Sequence, residues 1–208
     1  LYETLSGQGK TGEAGRILEV LMNKWPFVNI VQLEQGNRLL REGKMDEAYN
    51  AYQSALLNDA ANYLAYYNLG FIALARGQYF NAIDFFNSAI RDGGDYFPAQ
   101  VNLVFSQLAG DRAGEAEANL GTLLRRDPDN LHLLLARALE RFLAGDTSSA
   151  LEQTEQLLVK HPGQVAPAIL RGGIQLRLFQ FEKARQSFEE ALAREPDNVL
   201  ARLGLAHA

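Results

Sequence analysis

Residues 6–12, Ser-Gly-Gln-Gly-Lys-Thr-Gly, contain the Gly-Lys-Thr triplet with which a phosphate-binding loop grips a nucleotide. That chemistry needs a further glycine five residues before the triplet, and a strand leading into the loop, so that backbone N–H groups cradle the phosphates. Thr4 stands where the glycine belongs, and no strand-like run precedes it. The triplet therefore predicts a turn between two helices and no nucleotide site. Three histidines, His132, His161 and His207, are spaced too widely to ligate a metal together by sequence proximity. Carboxylate pairs such as Glu189–Glu190 fall on what reads as the exposed side of a helix, and no serine has a base and an orienting acid at a recognisable spacing. No enzyme, cofactor or metal is expected.

Bulk properties narrow the field further. Of the 208 residues, 47% are hydrophobic and 22% charged, with a formal net charge of −5 and no cysteine. A nucleic-acid binder needs clustered Lys and Arg to displace counterions from phosphates. The only adjacent basic pair, Arg125–Arg126, is followed at once by Asp127 and Asp129, so no nucleic-acid partner is expected. No apolar run approaches the roughly 18 residues that would cross a bilayer as a helix. The absence of cysteine excludes disulfides and thiolate-bound metals but selects no compartment.

Any working residue must be positioned by helices. Six alanines, Ala14, Ala48, Ala82, Ala116, Ala150 and Ala184, recur every 34 residues without a slip. In parallel run Pro26, Ala60, Gly94, Pro128, Pro162, Pro196, and Gly9, Gly43, Gly77, Asp111, Gly145, Phe179. An ungapped period of this length is the signature of stacked helical hairpins, in which each unit buries its apolar face against its neighbours. Tyr66, Leu69, Gly70 and Ala73 form one helix stripe, and Tyr79, Ala82, Ile83, Phe86, Ala89 and Ile90 a second. The intervening glycine suits a left-handed helix end. Asn130 and Asn198, after Pro128 and Pro196, are placed to cap the next helix. Small residues at the eighth position of each unit (Gly36, Gly70, Val104, Ala138, Gly172) let the two helices of a hairpin approach closely.

The motifs Tyr66-x-Asn68-Leu69-Gly70, Gly77-x-Tyr79-x-x-Ala82 and Phe86-x-x-Ala89-Ile90 resemble the tetratricopeptide repeat, as do Phe181-x-x-Ala184, Phe188-x-x-Ala191-Leu192 and Pro196-x-Asn198. The resemblance covers essentially the whole chain. It implies an all-α, right-handed superhelical solenoid of antiparallel helix pairs over residues 1–208. Full units run over 29–62, 63–96, 97–130, 131–164 and 165–198, with partial units at 1–28 and 199–208. A chain that starts and stops in mid-period reads as a piece of a longer protein. Val104 at the small site and Thr154 at the usual large apolar site depart from the pattern.

The resemblance also implies which residues of each first helix line an inner face. These are Leu33, Asn37, Leu40 and Arg41, then Leu64, Tyr67, Asn68, Phe71 and Leu74, then Val101, Asn102, Phe105 and Leu108. His132, Leu135, Leu139 and Phe142 follow, then Ile169, Gly173, Leu176 and Arg177. The residues expected to hold a partner are Asn37, Arg41, Tyr67, Asn68, Phe71, Asn102, Phe105, Leu135, Leu139, Phe142 and Ile169. Aromatic rings supply contact area and asparagines pair with peptide backbone. Two placements of Tyr67, Phe71, Phe105 and Phe142 stay open: packed on neighbouring helices, or exposed as a stripe that takes an apolar segment. Chaperone-adaptor repeats resemble one another in a cationic carboxylate clamp. Asn37 and Asn68 match it here, but Leu33, Pro98 and Asn102 replace its three cations, so a chaperone tail is not the expected ligand.

The expected function is a non-catalytic protein-interaction scaffold that binds a peptide or helix of a partner. A bacterial envelope, pilus or polysaccharide-export assembly is the favoured context, since 15 Arg against 5 Lys suits a GC-rich genome. The compartment is open between bacterial periplasm, outer-membrane face and cytoplasm. Alternatives are a regulatory or substrate-docking arm of a larger enzyme, and self-association through end surfaces that carry Leu200, Leu203 and Leu205.

Overall fold

The computed structural model describes residues 11–25 and 28–208. The loop-like stretch over residues 6–10 and Pro26 lie outside them. Among the described residues there are twelve α-helices and no strand. These are α1 (Thr11–Lys24), α2 (Asn29–Arg41), α3 (Met45–Asn58), α4 (Tyr63–Ala75), α5 (Tyr79–Gly93), α6 (Phe97–Ala109), α7 (Ala113–Arg126), α8 (Leu131–Leu143), α9 (Thr147–Lys160), α10 (Val165–Arg177), α11 (Phe181–Arg194) and α12 (Val199–His207). First helices begin at Asn29, Tyr63, Phe97, Leu131, Val165 and Val199; second helices begin at Thr11, Met45, Tyr79, Ala113, Thr147 and Phe181. Both series step by the sequence period. The helices fall into two compact units, one ending at Gly110 and the other beginning at Asp111. The first contains the hairpins α2–α3 and α4–α5, the second α8–α9 and α10–α11.

Each hairpin is closed by side-chain size. Ala48, Ala82, Ala116, Ala150 and Ala184 are fully buried. In α2–α3 the ring of Tyr52 lies over Gly36, where a Cβ would come within 2.5 Å of it. Phe86 covers Gly70 and Phe188 covers Gly172 in the same way. Where Thr154 replaces the aromatic ring it is buried too, and its hydroxyl donates to the Ala150 carbonyl at 2.6 Å, so no polar group is stranded.

Helix ends follow local chemistry. Asn130 accepts from the backbone N–H of His132 and Leu133, and Asn198 from that of Ala201, which satisfies donors that the first turn leaves over. Asn62 and Asp146 cap α4 and α9 likewise. At the hairpin turns Gly43, Gly77 and Gly145 adopt the left-handed conformation. Asp111 and Phe179, at the same repeat position, adopt it without being glycine, with φ of 60° and 58°. Phe179 is held there by the same two backbone bonds found at Gly77: its N–H donates to Leu176, and the next N–H, of Gln180, donates to Gln175.

Candidate partner-binding faces

In the first unit the expected residues form linked pairs between successive first helices. Asn37 Oδ1 accepts from the Tyr52 hydroxyl at 2.8 Å and from Asn68 Nδ2 at 3.2 Å. Asn37 Nδ2 in turn donates to Glu34 at 3.4 Å. Burial, and secondarily the Glu34 carboxylate, pushes the Tyr52 hydroxyl above its ordinary range, which keeps it a donor. Asn102 Nδ2 donates to the Tyr67 hydroxyl at 3.3 Å. The Tyr67 ring meets Tyr96 edge-on at 5.2 Å and lies 6.0 Å from Phe86. The asparagines thus join α2 to α4 and α4 to α6. The open question about the aromatics divides: Tyr67 is half-buried among other rings, and so is Phe105 in exposure, whereas Phe71 is 46% exposed. Arg41 is exposed.

In the second unit Leu135, Leu139, Phe142 and Ile169 are all half-buried. The Arg177 guanidinium lies 5.3 Å from the centre of the Phe142 ring, and its Nη1 is 3.5 Å from the Phe142 carbonyl oxygen. This contact ties α10 to α8 along their C-terminal turns. Three residues expected on the inner faces, Leu33, Val101 and Leu108, are instead buried. Leu33 joins the apolar core that contains Leu39, Tyr52 and Leu69, so position in the repeat alone overstates exposure. Exposed apolar residues at Leu143, Leu200 and Leu203 add to the first-helix surface of the second unit. Repeat position would have found Leu143, beside Phe142.

The chemistry-bearing side chains of the described residues lie apart or are already paired. Among the described residues no group of three or more His, Cys, Asp or Glu side chains converges to hold a metal. His132 and His207 are exposed, on different helices, and His161 follows α9. Glu189 and Glu190 are each taken up by arginines, Arg185 for the first and Arg171 and Arg194 for the second. No helix among the described residues is long and apolar enough to cross a membrane.

Comparison with known proteins agrees with this architecture. A tetratricopeptide-repeat family model matches residues 33–96 and 171–208. The chain is 30% identical over 187 residues to the CTR9 homolog of Arabidopsis thaliana, covering 84% of this chain and 17% of that protein. It is 26% identical over 141 residues to DnaJ homolog subfamily C member 3 of Rattus norvegicus, covering 61% of this chain and 28% of that one. The chain therefore spans well under half the length of these relatives. Among solved structures, a tetratricopeptide repeat protein from Parabacteroides merdae has a TM-score of 0.81 at 19% identity, with 100% of this chain and 81% of that one covered. The type IV pilus biogenesis factor PilW follows with 0.74 at 18% identity, covering 98% and 94%. YrrB, described as having an unusual peptide-binding site, gives 0.60 at 20% identity, covering 89% and 96%. The period, the buried alanines and the glycine–ring contacts agree with the family-model match, and the structural likenesses share the fold of tetratricopeptide-repeat proteins.

Proposed function

We propose that the chain is a non-catalytic scaffold whose first-helix faces capture a peptide or helix of a partner protein. The observation that carries this reading is the lining itself. Phe71, Phe105, Leu135, Leu139, Phe142 and Ile169 are apolar yet remain wholly or partly open to solvent, at the repeat positions expected for capture. Partly open rings and aliphatic groups bury further area when a partner lands, at little cost in side-chain order. Asn68 and Asn102 use their N–H groups internally, which leaves their carbonyl oxygens as acceptors for a peptide N–H. The fold likeness to a peptide-binding protein and to a pilus biogenesis factor supports peptide capture within a bacterial envelope assembly. The unbroken period supports treating the chain as one repeat array in sequence.

The test is selection of dodecapeptides on the intact chain by phage display, followed by fluorescence anisotropy of the best binder. Phe71→Glu/Phe105→Glu or Leu135→Glu/Phe142→Glu should weaken it by about tenfold or more with unchanged far-UV circular dichroism. Binding that survives both pairs of changes removes the first-helix faces as the site. A second reading, a substrate-docking arm within a larger protein, is favoured by the small share of the matched relatives that the chain spans.

A further inference from the structure

We propose that Gly173 forms the floor of a side-chain notch in the second unit, selecting a ligand that presents an apolar group beside a carboxylate. The inference rests on the capture reading above and gives it a ligand chemistry. Gly173 and its neighbour Gly172 are both glycine for different reasons. At Gly172 a Cβ would meet the Phe188 ring at 2.6 Å, so packing demands glycine there. At Gly173 a Cβ would meet nothing within 4 Å, and the backbone is ordinary α-helix. Neither steric closeness nor a left-handed backbone explains this residue.

Glycine in the middle of a helix disfavours it relative to alanine. The equivalent residues of the other first helices are Asn37, Phe71, Phe105, Leu139 and His207, all of which project a side chain. At this repeat position Gly173 alone lacks a side chain, and it is itself part-exposed. Gly12, Gly15 and Gly114 also have open space around them, but they lie on second helices, off this lining.

The surroundings specify what fits. Ile169 and Leu176 flank Gly173 on α10, one turn away on either side, and Leu139 is its counterpart on α8. All three are half-buried, so the walls are apolar. Arg177 stands one turn along, about 6 Å by helical rise. Among the described residues its contacts are the Phe142 ring and carbonyl, and no carboxylate of theirs pairs with it. No acid occupies the inner positions of α8 or α10. A cation on an apolar face without an acidic neighbour complements a ligand carboxylate. The matching ligand is a peptide segment with a branched aliphatic or aromatic residue and an Asp or Glu about one helical turn apart.

The probe is a labelled, helix-forming peptide on an Ala/Gln background that carries Leu and Glu four residues apart. It is compared by fluorescence anisotropy with a Leu/Lys and an Ala/Glu version. The intact chain should bind the Leu/Glu peptide about tenfold more tightly than either control. Gly173→Leu fills the notch and should remove that binding while the protein stays folded, since the added side chain meets open space. Arg177→Gln should abolish the preference for Glu over Lys. Equal binding of all three peptides, no binding of the Leu/Glu peptide, or undiminished binding by Gly173→Leu overturns the notch. Leu139→Glu/Phe142→Glu separates the two levels of inference. If it abolishes binding and Gly173→Leu does not, the face is used and the notch is not.

Discussion

The ring of Phe188 occupies the space that a side chain on Gly172 would need, with Cε1 only 2.6 Å from where a Cβ would stand. A β-carbon at that separation forces the ring or the helix to shift, and Phe188 is buried, so it has nowhere soft to go. Gly172→Ala should therefore destabilise by about 1–3 kcal/mol. One residue on, Gly173→Ala should stabilise by about 0.5–1 kcal/mol, because it improves helix propensity and meets no neighbour. Urea denaturation of the two variants reads both signs. Equal shifts in one direction would mean that contact with Phe188 is not what distinguishes them.

Phe179 gives a prediction of the opposite kind, in which removing a large side chain helps. Its φ of 58° is a left-handed conformation that disfavours a residue with a β-carbon, by roughly 1–2 kcal/mol. The side chain recovers little of this, since it is 79% exposed and its ring contact is an edge-on approach to Phe181 at 6.2 Å. Phe179→Gly should raise stability by up to about 1 kcal/mol once the greater freedom of glycine in the unfolded chain is subtracted. Thermal melting of the variant checks this. A lowered Tm would show that the Phe179–Phe181 pair outweighs the backbone strain.

What could be read in the residues differs by level. The 34-residue steps of the alanines placed the hairpins, because a buried site between two close helices tolerates almost nothing larger than Ala. The caps at Asn130 and Asn198 were legible for the same local reason. Exposure of the inner face was not. Leu33 and Phe71 are both apolar inner-face positions, yet the first is 5% and the second 46% exposed. Leu33 is taken into the core with Tyr52 and Leu69 of the adjacent helices, a contact that lies outside its own helix. The asparagines show a related loss: their spacing is visible in sequence, but Asn37 accepting from Tyr52 and Asn68 at once is a tertiary fact.

That shared acceptor predicts an alkaline effect. Tyr52 is fully buried, and burial raises its pKa above the ordinary 10.0. A phenol that resists ionisation in the folded state adds nothing to the pH dependence below its unfolded value, where both states are protonated. As pH rises past about 10 the unfolded chain loses the proton first and is favoured. Stability should thus decline above that pH, and Tyr52→Phe should flatten part of the decline. At neutral pH the same change should cost about 1 kcal/mol through the lost bond to Asn37. Denaturant midpoints at neutral and alkaline pH measure both. An unaltered alkaline slope would place the titrating group elsewhere.

At the acid end the telling group is Glu190 on α11. Its carboxylate bonds Arg194 at 2.9 Å on the same helix and Arg171 at 2.5 Å on α10, and Arg171 also donates to Ser187 at 2.8 Å. The hydrogen bond from Arg194, followed by that from Arg171, holds Glu190 below its usual range against the opposing effect of burial. A carboxylate with a depressed folded pKa stabilises above the unfolded value of about 4.5 and loses that contribution as pH falls through the folded one. Glu190→Gln should be less stable than the parent at neutral pH, and the gap should close as the pH falls below the unfolded value and through the lowered folded one. The Arg171 bond spans the α10–α11 hairpin, whereas the Arg194 pair lies within one helix. Arg171→Met should accordingly reproduce more of the neutral-pH loss than Arg194→Met, although Arg194 is the stronger influence on the Glu190 proton. Denaturation midpoints across the acid range would reveal the reverse order if the pair within α11 were the one that stabilises the hairpin.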